Sequence, residues 1–351
     1  MTPARRRHYD ETDVRIRPNP RGSRPRTKDR PEHSEAVAGR VLTVDRGRYA
    51  VLVGEDEADE RTVVAMKARE LGRAGIVVGD RVALVGDTTG TPDTLARVVR
   101  REPRTSVLRR TADDTDPVER VLVANVDQLV IVTALADPEP RPRMVDRCLV
   151  AAFDAGLDPL LCLTKADLAD PAEFLAEYAV LDIPTVVTRR PVGASSDGAA
   201  PIGVEHLRRE LTGRSSVLVG HSGVGKSTLV NALIPDAQRA TGAVNEVTGR
   251  GRHTSSSAVA LRLRDTDGAP AGWVIDTPGV RSFGLAHVDP QNLLQAFPDL
   301  VPGSATCPRG CSHDEPECGL DGYVASGAAG PAGPHRLESL RRLLRSRAEP
   351  S

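Results

Sequence analysis

Aromatic side chains are scarce in this chain, with four Phe, four Tyr and one Trp among 351 residues. Long apolar runs are missing altogether. No stretch reaches the ~20 residues that a membrane-spanning helix requires, and the Arg-rich start lacks the apolar core of a secretory leader. Both absences point to a cytoplasmic protein with no membrane partner. Neither sign of charge dominates, since 47 Lys and Arg face 48 Asp and Glu. The five cysteines form no evident disulfide framework, which points to metal binding or burial in a reducing compartment. A chain of this length usually folds as two or three compact parts, with ample material for cores.

The segment Gly220-His221-Ser222-Gly223-Val224-Gly225-Lys226-Ser227 matches the phosphate-cradling pattern G-x-x-x-x-G-K-[ST]. Its context fits, because Ser216–Val219 reads as a buried strand entering the loop and Ser227–Leu233 as a helix leaving it. Glycines let the backbone turn its amides toward phosphate, and the helix N-terminus adds a favourable dipole. Lys226 is expected to contact the β- and γ-phosphates, and Ser227 to hold Mg²⁺, with Thr228 completing the nucleotide contacts. The alternative is a glycine-rich strand–helix turn without a ligand.

Downstream, Asp276-Thr277-Pro278-Gly279 follows the apolar run Ala271–Ile275 and resembles the D-x-x-G switch of GTPases. Asp276 is expected in the Mg²⁺ shell and the Gly279 amide at the γ-phosphate. By itself the tetrapeptide is also an ordinary turn. Upstream, Thr164-Lys165-Ala166-Asp167 ends the apolar strand Pro159–Leu163 and resembles the guanine-reading signature of GTPases. There the Asp accepts from the guanine N–H groups and the Lys packs along the ring. The usual first residue is Asn, so Thr164 predicts a looser tie to the phosphate loop with guanine preference kept. A supporting Ser-Ala loop is expected just after Ile183–Val187, but Thr188-Arg189-Arg190 stands there. The base-reading signature precedes the phosphate loop, the reverse of the ordinary GTPase order, so the domain reads as circularly permuted.

Between the phosphate loop and Asp276 lies Thr248-Gly-Arg-Gly-Arg-His253-Thr254, suited to a loop that orders around ligand. Thr254 is the candidate for Mg²⁺ and γ-phosphate contact. Val280 stands where a Ras-like enzyme has the glutamine that orients water. His253 is the substitute, its imidazole orienting water; the plain alternative is a solvated loop histidine.

Cys307, Cys311, His313 and Cys318 fall within a dozen residues. Three thiolates and one imidazole close a tetrahedral Zn²⁺ shell, which reads as one structural zinc rather than a catalytic one. The competing reading is a cysteine-rich loop without metal. Cys148 and Cys162 sit in apolar contexts and read as small core residues.

The first thirty residues carry ten Arg or Lys against four acids and too little apolar surface for a core. They read as a disordered basic arm suited to RNA phosphates, or as a solubilising tail. Five short strand candidates follow, at 36–44, 48–53, 62–65, 80–85 and 96–99, separated by Gly- and Asp-rich turns. Five strands in so short a stretch predict an OB-fold barrel, a fold that commonly binds nucleic acid. Tyr49 is its lone aromatic, so backbone contacts through Arg and Lys are expected rather than base stacking; a barrel used only for protein contact stays open.

Together these motifs resemble the bacterial family called ribosome small subunit-dependent GTPase A, over roughly residues 36–345. Ala124-Asn-Val-Asp127, ahead of the first GTPase strand, and Gly251-Arg-His-Thr254 belong to the same resemblance. Departures are Thr164, the missing Ser-Ala loop, and zinc-loop spacings each one residue shorter than the family pattern. The resemblance implies a monomeric GTPase with one zinc per chain. It binds the small ribosomal subunit late in assembly, contacts ribosomal RNA, and leaves after subunit-stimulated hydrolysis of GTP to GDP. It also implies a hydrolytic role for a histidine matching His253. Expected divisions are a basic arm (1–34), an OB-fold (35–104), a circularly permuted α/β phosphate-loop GTPase domain (105–286) and a small zinc-binding domain with helices (287–351). The missing glutamine keeps open a GTP-dependent RNA-binding adaptor with negligible hydrolysis. An ATP-using kinase would leave Lys165 and Asp167 without a role. The tail His335–Leu344 reads first as a packing helix and second as an Arg-rich surface facing RNA.

Overall fold

The structure is a computed structural model describing residues 33–72, 75–111, 119–191, 200–235, 237, 258–277, 283, 285 and 288–348. All but the last two residues of the expected basic arm lie outside that set. The first strands are β1 (Val37–Asp45), β2 (Arg48–Val53), β3 (Arg61–Lys67), β4 (Arg81–Gly86) and β5 (Ala96–Arg101). Valine-rich runs broken by turn residues produce them, as the sequence predicts. β1, β2 and β3 form an antiparallel meander, β3 runs parallel to β5, and β5 is antiparallel to β4. β4 then returns to β1, from Val37↔Leu84 to Arg40↔Arg81, and closes the barrel of the expected OB-fold. Val41, Val51, Val63, Val82, Leu84 and Val98 fill its interior, and Tyr49 is buried with them.

A two-stranded ribbon, β6 (Val107–Thr111) and β7 (Glu119–Ala124), leads to six further strands. These are β8 (Gln128–Ala134), β9 (Asp158–Thr164), β10 (Thr185–Val187), β11 (Arg214–Val219), β12 (Val259–Arg264) and β13 (Pro270–Asp276). They lie in the order β10-β9-β8-β11-β13-β12, all parallel except β12, which is antiparallel to β13. Burial on both faces explains the apolar runs Leu129–Val132 of β8 and Leu160–Leu163 of β9. Along β8, Leu129 and Ile131 face one core while Val130 and Val132 face the other. Helices α1 (Pro142–Asp154) and α2 (Ala172–Tyr178) cover the first face, and α3 (Val204–Leu211) and α4 (Lys226–Leu233) the second. From β8 the chain runs outward through β9 and β10; from β11 it runs the opposite way to β13 and β12. The crevice at such a reversal is where open α/β sheets bind ligands. Cys148 and Cys162 are buried core residues, as expected.

The C-terminal part holds α5 (Pro290–Gln295), a 3₁₀ turn at Val301–Thr306, α6 (Gly319–Ala325) and α7 (Gly333–Ala348). Leu337, Leu340, Leu343 and Leu344 of α7 are buried in the core shared with α1. Its arginines pair with acids of this chain: Arg336 with Asp299 at 2.7 Å, Arg341 with Asp321 at 2.6 Å, Arg342 with Glu177 at 3.0 Å and Arg345 with Asp314 at 3.2 Å. The helix packs through its leucines, and these four of its arginines are engaged with acids of this chain.

Barrel and sheet are joined rather than tethered. Thr43 of β1 pairs with Val259 of β12. Beside that junction Glu55 accepts from Arg40 at 3.1 Å, from Arg81 at 2.5 Å and from the Trp273 indole N–H at 2.8 Å, with Arg262 3.4 Å away. The guanidinium groups of Arg40 and Arg262 flank the indole at 5.0 and 4.6 Å.

Candidate nucleotide and metal sites

The phosphate-loop segment lies where β11 ends and α4 begins, at the reversal of strand order. Gly220 passes so close to β8 that a Cβ there would stand 2.3 Å from the Val132 carbonyl. Gly225 caps α4 with φ +96°, a region that favours glycine. Between them the buried Val224 anchors the loop, while His221 Nδ1 sits 3.0 Å from the Ser222 carbonyl. Lys226 Nζ donates to the carbonyls of Gly220 and His221, so its ammonium already lies folded over the loop. Ser227 and Thr228 open to solvent on the first turn of α4.

Asp276 closes β13 in register with Leu218 of β11, which brings the two loops side by side. Thr277 locks that neighbourhood by donating to the Leu218 carbonyl at 2.7 Å. Burial pushes the Asp276 carboxylate up, with Lys226 pulling the other way, and its Oδ1 is buried without a hydrogen-bond partner among the described residues. A buried, under-satisfied carboxylate beside a phosphate-type loop suits a hard cation such as Mg²⁺. His253, Thr254 and Gly279 lie outside the described residues.

Thr164 ends β9 beside the same loop. Its hydroxyl donates to the Val224 carbonyl at 2.6 Å, a direct bond between the segment expected to read the base and the loop expected to hold phosphates. Lys165 adopts φ +59° and its ammonium donates to the Asp137 carbonyl. Asp167 Oδ1 accepts from the Arg190 backbone N–H at 2.8 Å, and the Ala166 N–H bonds the Thr188 carbonyl at 3.2 Å. Thr188-Arg189-Arg190 therefore backs the base-reading segment with main-chain groups, where a Ser-Ala pair was expected. A cleft of about 380 Å³ runs between the two motifs, with Thr164, Lys165, Asp167, Gly225 and Thr228 on its wall. Asp137 and Arg190 also line it, and their contacts run through a main-chain carbonyl and a main-chain N–H, which residue identity does not reveal.

The four predicted metal ligands converge. Ligand atoms of Cys307, Cys311, His313 and Cys318 all lie within 4.8 Å of one another. Cys307 Sγ stands 3.8 Å from Cys318 Sγ and 3.6 Å from His313 Nδ1, and Cys318 Sγ stands 3.8 Å from that nitrogen. Thiolates about 2.3 Å from a tetrahedral ion are separated by about 3.8 Å, so the set fits such a shell. Burial pushes the Cys311 thiol up to about 12, so thiolates here call for a cation. Outside the shell, the Gln291 amide meets His313 Nε2 at 3.0 Å and Arg341 donates to the His313 carbonyl at 3.1 Å. Such partners orient a ligating imidazole.

A family model described as RsgA GTPase matches residues 101–286, more than half of the chain. The chain belongs to the RsgA GTPase family. Among curated relatives it is 37% identical over 278 residues to a small ribosomal subunit biogenesis GTPase RsgA from Pseudomonas putida, covering 79% of this chain and 76% of that one. A Vibrio vulnificus relative described as small ribosomal subunit biogenesis GTPase RsgA 1 is 33% identical over 347 residues, covering 95% and 92%. The solved structure of YjeQ from Thermotoga maritima superposes with a TM-score of 0.61 at 27% identity, over 89% of this chain and 99% of that one. A second, YloQ, described as a circularly permuted GTPase, shares the fold with a TM-score of 0.60 at 23% identity, over 90% and 96%. This chain has the same inverted order, with Thr164–Asp167 ahead of Gly220–Ser227. No helix among the described residues is long and apolar enough to cross a membrane.

Proposed function

We propose that this protein hydrolyses GTP as a late-stage assembly factor of the small ribosomal subunit, working as a monomer in the cytoplasm. The observation that carries this reading is the single cleft in which the base-reading and phosphate-loop segments meet, bonded to each other through Thr164 and Val224. Guanine would enter against Asp167, whose Oδ2 stays available while Arg190 holds Oδ1. Lys165 would lie along the ring. The amides of Gly220 to Ser227 would take the phosphates, and Lys226 would exchange the Gly220 and His221 carbonyls for phosphate oxygens.

Ser227, Thr254 and Asp276 would hold Mg²⁺, which neutralises charge building on the β- and γ-phosphates. Gly279 would meet the γ-phosphate. With Val280 in the position of the usual glutamine, His253 would orient the attacking water, leaving basal turnover slow until the subunit arranges that loop. Cys307, Cys311, His313 and Cys318 would hold one structural Zn²⁺ that fixes the loop before α6. Ribosomal RNA would be the contacted surface. A non-hydrolysing adaptor finds no support in the membership of a GTPase family.

Co-sedimentation with purified small subunits tests the partner. Binding should be strong with a non-hydrolysable GTP analogue and weak with GDP. Equal sedimentation in both nucleotides, or none in either, contradicts the cycle of binding and release.

A further inference from the structure

Arg147, in the middle of α1, is a buried cation that takes no part in the nucleotide or metal sites, with only 5% of its surface exposed. Its Nε and Nη2 both donate to the Phe283 carbonyl, at 3.0 and 2.5 Å, and its Nη1 donates to the Ser346 carbonyl at 3.0 Å. The two acceptors belong to different parts of the chain. Ser346 lies in the last turn of α7, where helix carbonyls lack intrahelical partners and the helix dipole favours a cation. Phe283 is buried and follows Asp276–Gly279 in the sequence. On the near side of that segment, Thr277 is fastened to β11 through the Leu218 carbonyl at 2.7 Å.

We propose that Arg147 is a positioning residue that couples the γ-phosphate end of the nucleotide site to the C-terminal end of α7, an inference that rests on the proposed role of Asp276 and Gly279 at that phosphate. A guanidinium taken out of water is costly unless its N–H groups find acceptors. Displacing Phe283 takes the acceptor from two of those groups at once, so the guanidinium follows and its bond to Ser346 is disturbed. Loosening the end of α7 acts back on Phe283 in the same way, because coupling between two sites is reciprocal. Packing alone would be served as well by an apolar side chain of similar volume, which carries no such desolvation cost. Docking of α7 does not hang on this contact: its leucines are buried, and Arg342 meets Asp146 at 3.2 Å and Glu177 at 3.0 Å. Arg147 thus adds a link between segments that other contacts already hold in place.

The test compares the full wild-type chain with Arg147→Met and Arg147→Lys, without ribosomes. Titration with fluorescent GDP and with a fluorescent non-hydrolysable GTP analogue reads the nucleotide site, and hydrogen exchange of the peptide that ends α7 reads the helix. Arg147→Met should bind the analogue about fivefold more weakly, the loss of a buried hydrogen-bonding group. Its GDP affinity should be unchanged, because GDP lacks the phosphate in question. In the wild type the end of α7 should exchange more slowly with the analogue than with GDP, and in Arg147→Met the two rates should be equal. Arg147→Lys keeps the charge and should recover part of both effects. An arginine that only staples the fold would instead shift both affinities together, or neither. A folded Arg147→Met with the wild-type ratio of analogue to GDP affinity overturns the proposal. So does wild-type α7 exchange that ignores the nucleotide, whether or not the variant folds. A wild-type chain that binds no GDP fails at the nucleotide site itself and overturns that reading together with this one.

Discussion

The Thr164 hydroxyl donates to the Val224 carbonyl at 2.6 Å, so the segment expected to read guanine and the loop expected to hold phosphates are directly bonded. Threonine is shorter than the usual asparagine, yet it reaches the loop, with Gly225 packed beside it at φ +96°.

Removing that hydroxyl while keeping the shape should loosen both halves of the cleft. Thr164→Val is expected to weaken GTP and GDP binding about fivefold each, the ~1 kcal/mol of a buried hydrogen bond. Titration with a fluorescent guanine nucleotide measures it. Wild-type affinity would mean that the bond does not support the site.

The joint between barrel and sheet centres on Glu55, whose carboxylate is 14% exposed and meets three arginines. Glu55→Ala leaves the Arg40 guanidinium buried without its acid and should cost about 3 kcal/mol in urea unfolding. Trp273, the single tryptophan, loses its hydrogen bond at the same time, so its emission should shift to the red. An unshifted spectrum with unchanged stability would contradict the coupling of the two units through this carboxylate.

Much of the fold was readable because local chemistry agreed with tertiary need. Arg48–Val53 is apolar after its first residue and bounded by Gly47 and Gly54, and β2 has those limits. The strand and helix around the phosphate loop were legible for the same reason. The β1–β12 pairing was not, since an edge strand carries no sign of the partner it meets across two hundred residues. Nothing in the acidic run Glu55-Asp56-Glu57 marks Glu55 for this role, because only the folded chain brings Arg262 and Trp273 over it. The base-reading segment's support by Arg190 was hidden too, as a backbone N–H leaves no trace in residue identity.

Asp146 on α1 supplies a pH dependence. Burial pushes its carboxyl up from 3.8 to about 6; Arg342, 3.2 Å away without a good hydrogen-bond angle, and Tyr178 only partly oppose this, while Glu177 adds to it. With the folded value above the unfolded one, the folded state holds the proton more tightly between pH ~4 and 6. Stability from this group is therefore present below that window and lost as pH rises through about 6. Asp146→Asn should gain stability relative to wild type on going from pH 4.5 to 7.5, by on the order of 1–3 kcal/mol. Urea unfolding of both proteins at the two pH values measures the change; a relative loss would contradict the sign.

The cysteine–histidine cluster predicts one zinc per chain by elemental analysis. Cys307→Ser, or a strong chelator, should remove the metal and lower the melting temperature by several degrees or more. A metal-free wild-type chain with the same melting temperature would contradict a structural ion at these four residues.

The most direct test of the whole account is phosphate release from GTP and ATP with and without purified small ribosomal subunits, with Lys226→Ala as the control for contaminating activity. The account expects slow release from GTP alone, strong stimulation by the subunit, no release from ATP, and loss of the GTP signal in the variant. Release that the subunit leaves unchanged, or that persists in Lys226→Ala, would contradict a subunit-activated GTPase centred on this cleft.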